Sequence, residues 1–139
     1  MLGQIPARRH PHQVLVAALL MVSGLPVLFG GPRPGSVSAS LPTPLLMVWA
    51  GVITIGGAMV VLAAAVPPLL ALFLELIADP PLAVMCVVYA ASVAMLAGWR
   101  AAVPAALVAG MALAFAIRAV QVYRTLSAVR RVISEEAVP

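Results

Sequence analysis

The sequence predicts an all-α integral membrane protein with about four transmembrane helices, one short interfacial helix and a cytoplasmic amphipathic C-terminal helix. Three observations carry that reading. The 139 residues are 64% hydrophobic and only 9% charged, with a mean hydropathy of +1.15. A soluble domain is about half apolar and about a quarter charged, and a chain this short cannot bury such an excess in a water-soluble core. The apolar residues fall in runs near the ~20 residues that cross a bilayer. The basic residues are all arginine and lie at or near the ends of those runs. The high pI therefore reflects membrane orientation and not nucleic-acid binding.

The first predicted span covers residues 12–29 and is interrupted by Ser23, Gly24 and Pro26. The second covers 45–66 and has no charge. The third covers 82–98, and the fourth 101–122, with Arg118 near its inner end. The whole chain reads as one membrane domain. Between the second and third spans lies PPLLALFLELIADPP, residues 67–81. Its apolar stretch is too short to span, which suits an interfacial or re-entrant helix over 69–79. Pro67 and Pro68 fit a first turn, and Pro80 disfavours helix in the residue before it. Glu75 and Asp79 are four apart, so they share one helical face, expected to look at water or headgroups. A rival parse fuses 69–98 into one long broken helix.

Residues 115–137 contain no glycine or proline, so the fourth helix is expected to continue as a basic tail over 123–139. Val122, Leu126, Val129 and Ile133 form one stripe, and Arg131 and Glu135 are an i,i+4 pair. Such a tail suits a solvated helix end, a short self-associating coil, or a helix on anionic lipid through Arg124, Arg130 and Arg131.

The stretch FGGPRPGSVSASLPTP, residues 29–44, is the long polar break in the first half of the chain. Val37-Ser38-Ala39 imitates a signal-peptide cleavage site. However, it lies well past the end of a run already long for a signal peptide. An uncleaved first span and an irregular extracytoplasmic loop are expected instead. Arg8 and Arg9 flank the N-terminus, and Arg118, Arg124, Arg130 and Arg131 flank the C-terminus. The positive-inside rule then puts both termini in the cytoplasm. Phe29, Trp49 and Trp99 are expected at the outer interface and Tyr123 at the inner one.

Helices in lipid associate through small residues. Ala90, Ala94 and Gly98 form such a stripe on the third span, Ala102, Ala106, Gly110 and Ala114 on the fourth, and Ala50, Thr54 and Ala58 on the second. The very short link Trp99-Arg100 predicts an antiparallel hairpin of the last two spans.

Chemistry is sparse. The single cysteine, Cys86, excludes an intrachain disulfide and reads as a small buried hydrophobe. Ser23, Thr54 and Ser92 are expected to bond back to their own helices. Arg118 is close enough to the surface to snorkel. His10 and His12 alone make a poor metal site. Gly56-Gly57 reads as a packing or kink site. No catalytic motif is present, so no catalytic, cofactor-binding or metal residues are assigned and no enzyme is expected.

IPARRHPHQ before an apolar run, then GLPVLFGGPRPGSVSASLP with Trp49 soon after, resembles small multi-pass membrane proteins encoded by phages of actinobacteria. The match covers the first third of the chain. The absence of lysine and asparagine, whose codons are AT-rich, agrees with a GC-rich source. That family carries no assigned activity, so the resemblance implies no site residues. It implies an accessory or structural membrane protein working through interactions. A holin-like lysis protein is the alternative, since short length, several spans and a charged tail suit one. A small transporter or channel ranks third. Four-helix drug exporters have a similar layout but depend on a glutamate in the first span, and residues 12–29 hold no acid. Homo-oligomerisation fits each of these roles.

Overall fold

The computed structural model describes residues 11–136, with side chains through Arg131. Arg8, Arg9 and His10 lie outside the described residues, as do the side chains of Ile133 and Glu135. The elements are α1 (Pro11–Leu28), α2 (Gly35–Ser40), α3 (Thr43–Ala63), α4 (Pro68–Ala97), a 3-10 turn (Gly98–Ala101) and α5 (Ala102–Glu136). The described residues are helical without strands. Three stretches are long and apolar enough to cross a membrane: Pro11–Leu28, Thr43–Ala63 and Pro68–Arg131. The last contains α4 and most of α5.

Each long helix packs against the next. Gly57 of α3 lets α1 approach: a Cβ there would stand 2.5 Å from the Ala17 carbonyl oxygen and 3.0 Å from Met21. Further along, Gly24 of α1 lies against Thr54 and Ala50, so α1 and α3 run antiparallel. The other glycine of the pair, Gly56, receives Leu82 of α4. The Gly56-Gly57 pair is thus a packing site for two neighbours on two faces. Toward the opposite end of α3, Trp49 donates its indole N–H to the Met85 carbonyl at 3.2 Å and stacks on Tyr89, ring centroids 5.9 Å apart. These contacts run α4 antiparallel to α3. Gly98 then takes a positive φ of 57° and ends α4, and the 3-10 turn feeds α5 back along it, as the short link predicts.

Several expectations are corrected. No separate interfacial helix occupies residues 69–79: α4 runs from Pro68 to Ala97 through Pro80 and Pro81, so the rival parse holds. Proline biases the preceding residue away from helix but does not forbid it, and neighbouring helices make prolines tolerable in apolar segments. The loop after α1 is not wholly irregular. It contains α2, whose Val37 is fully buried, and it folds back over one end of the bundle.

Trp49 packs into the bundle. It is 4% exposed and belongs to the core, whereas Phe29, Trp99 and Tyr123 are exposed. The stripe Ala102, Ala106, Gly110 and Ala114 faces outward. The packed face of α5 is instead Ala112, Phe115 and Val122. Ala94 is exposed although Ala90 is buried, while Ala50 and Thr54 are buried as expected. Helical stripes of small residues are common in an alanine-rich chain, and here the buried face of α5 is the one that carries Phe115.

Candidate functional site

An ionic cluster sits between α4 and α5. On α4 the buried stripe runs Glu75, Asp79, Leu82 and Cys86. On α5, Arg118 falls on the same stripe as Phe115 and Val122, three and four residues away. The antiparallel hairpin brings the two stripes together. Arg118 Nε and Nη2 both donate to Glu75 Oε2, at 3.0 and 2.7 Å. The pair is withdrawn from solvent, with side chains 14% and 6% exposed. Asp79, one turn further along, is 0% exposed, and neither carboxylate oxygen has a hydrogen-bond partner. It lies within electrostatic reach of both Glu75 and Arg118.

Two sequence expectations fail here for one reason. Glu75 and Asp79 do not face water or headgroups, and Arg118 does not snorkel outward. A long helix through Pro80-Pro81 puts the carboxylates on the buried stripe with Leu82. Arg118 then satisfies its charge on Glu75. Once charges enter an apolar bundle, pairing is the low-energy arrangement.

The cluster stands at a boundary. On one side is the main core, which includes Ala78, Leu82, Cys86, Ala112 and Phe115. On the other, Ala71, Leu72 and Val122 are buried but outside that core. Nearby, a cleft of about 490 Å³ opens between α1 and α5. Its polar end is His12, Gln13, Arg118 and Gln121, and its walls include Val16, Met111 and Phe115. The Gln13 Nε2 atom is buried there without a partner. A second cavity of about 290 Å³ lies among all four long helices, lined by Ser23, Trp49, Cys86, Tyr89 and Met111, with Pro34 from the loop beside them.

The chain matches no family model, no curated protein and no solved structure. Function must be argued from the site itself.

The remaining polar residues divide. Ser23 and Ser92 donate back to Leu19 and Val88 in their own helices, as expected. Thr54 does not: its Oγ1 is buried and without a partner, pressed against Gly24. Cys86 is buried with the hydrophobes. The cluster itself had a sequence signal. Glu75, Asp79, Leu82 and Cys86 are spaced four, three and four apart, one stripe that is visible only if the helix is read through the prolines. Arg118 and the two acids also lie at similar distances from the 98–101 turn.

Proposed function

We propose that this chain is a small, non-enzymatic multi-pass protein of a bacterial cytoplasmic membrane, encoded by an actinobacterial phage, with an accessory or structural role exerted through interactions. In this reading α1, α3, α4 and α5 each cross once and both termini are cytoplasmic. The supporting observation is the unequal length of the helices. α1 and α3 have 18 and 21 residues, whereas α4 and α5 have 30 and 35. The hairpin therefore continues past its neighbours at the ionic end. Leu72 and Val122 are buried in this extension, Arg124 is exposed near its tip, and Arg130 and Arg131 are exposed where α5 runs on past the start of α4. A projecting basic end of α5 suits contact with anionic lipid or an acidic partner.

Induced expression in a bacterial host, with membrane potential and culture density followed together, tests the reading. Steady potential and continued growth are expected. A sudden, timed collapse would sink the accessory role in favour of a holin-like one. Replacing Arg124, Arg130 and Arg131 by glutamine should strip co-purifying anionic lipid or partner from the protein, each arginine near the surface contributing about 1 kcal/mol. A second reading, movement of a small solute, draws on the buried cluster, since ionisable groups inside a membrane bundle mark pathways. It requires Glu75→Gln to abolish solute flux in proteoliposomes.

A further inference from the structure

The cluster sets two carboxyls, Glu75 and Asp79, beside the Arg118 guanidinium. Glu75 takes both donated hydrogen bonds of Arg118. Asp79 is fully buried, and both of its oxygens lack a donor. An ionised carboxylate left so in an apolar interior is strongly unfavourable unless a cation joins it. Among the described residues no second cation is hydrogen-bonded to Asp79. α3 carries no charged residue between Thr43 and Ala63. The titratable group of α1 among the described residues is His12, which lines the cleft at the helix start. On α4, Glu75 repels the Asp79 carboxylate; on α5, Arg118 is already engaged by Glu75, and Arg124, Arg130 and Arg131 are exposed farther along the helix.

The position is also enclosed. Leu82, which fills the space over Gly56, and Ala78 flank Asp79 in the core. Leu82 lies opposite a point about two turns inside the end of α3 at Ala63. Asp79, less than one turn from Leu82, is therefore still covered by α3. A metal ion needs several oxygen or nitrogen ligands. Among the described residues no group of three or more His, Cys, Asp or Glu is placed to supply them. A proton needs only the one carboxyl and changes no packing.

We propose that Asp79 is a proton-binding site of the membrane bundle, held beside the Glu75–Arg118 pair. The neutral acid fits the apolar stripe between Glu75 and Leu82. Its deprotonation sets a second carboxylate in competition for Arg118, so proton release acts on the seam that holds α4 to α5. The site is independent of the accessory role proposed above.

Asp79 is the single aspartate of the chain, so the test needs no mutation. Full-length protein is made with aspartate 13C-labelled at the side-chain carboxyl, placed in lipid nanodiscs, and followed by infrared difference spectroscopy through a pH titration. The expected result is a label-shifted band of a protonated carboxyl. It should persist at neutral pH, where a free aspartate is ionised, and vanish on alkalinisation. Sodium chloride should not alter it. A labelled signal that is carboxylate at neutral pH would overturn the proposal. So would a protonated band displaced by sodium, which would assign the site to a metal cation. Glu75→Gln, which releases Arg118, should convert the labelled band to carboxylate at neutral pH. Its persistence there would overturn the competition for Arg118.

Discussion

The α1–α3 and α4–α5 interfaces hold antiparallel helices together by opposite means. The first has no charge in it. Glycine at positions 24 and 57 removes the side chain, and backbones approach until a single added carbon would collide. The second has no such glycine: Gly110 of α5 has open space around it. Its seam is instead pinned by Arg118 on Glu75, one turn from an acid with no partner. Without a hydrophobic driving force between helices in lipid, close packing and polar bonds are the available sources of association. One interface depends on fit and the other on charge balance, so they should break under different substitutions.

The largest effect is expected from Arg118→Ala. It takes from buried Glu75 both hydrogen bonds of the guanidinium, and breaking a buried pair from one side destabilises by about 3–5 kcal/mol; unfolding in detergent should show the loss, with α4 and α5 separating first. Glu75→Leu together with Arg118→Met removes both charges. Such replacements of a buried pair are often neutral or stabilising, so the double variant should recover most of the loss. Failure to recover would mean that the pair does more than balance charge.

Gly57→Ala comes next, at about 1–3 kcal/mol, because the new carbon meets the Ala17 backbone rather than a movable side chain. Gly51→Ala and Gly110→Ala are the controls. Nothing lies within 4 Å of either added carbon, so both should be neutral or gain up to ~1 kcal/mol of helix stability. The smallest loss among the disruptive substitutions belongs to Trp49→Phe, which keeps an aromatic ring against Tyr89 and loses one hydrogen bond to Met85, about 0.5–1.5 kcal/mol. Measured by the same unfolding assay, these variants rank charge balance, close fit and a single polar bond on one scale.

Much of the fold was legible in the sequence. Composition and run length identify the apolar helices, because burial of a continuous apolar surface depends on length and chemistry alone. The 98–101 turn was legible from its brevity. The packing role of Gly56-Gly57 was visible as well, since a side chain cannot fit where backbones touch.

What the sequence could not decide was which faces meet. Pro80 and Pro81 read locally as a boundary, yet α4 continues through them. That one difference turns Glu75 and Asp79 from a surface pair into a buried cluster. The outward stripe of α5 was misplaced likewise. Local preference is set by a residue and its neighbours in the chain. Burial and ion pairing are set by helices packed against each other, and only the tertiary structure brings Arg118 to Glu75 and leaves Asp79 without a donor.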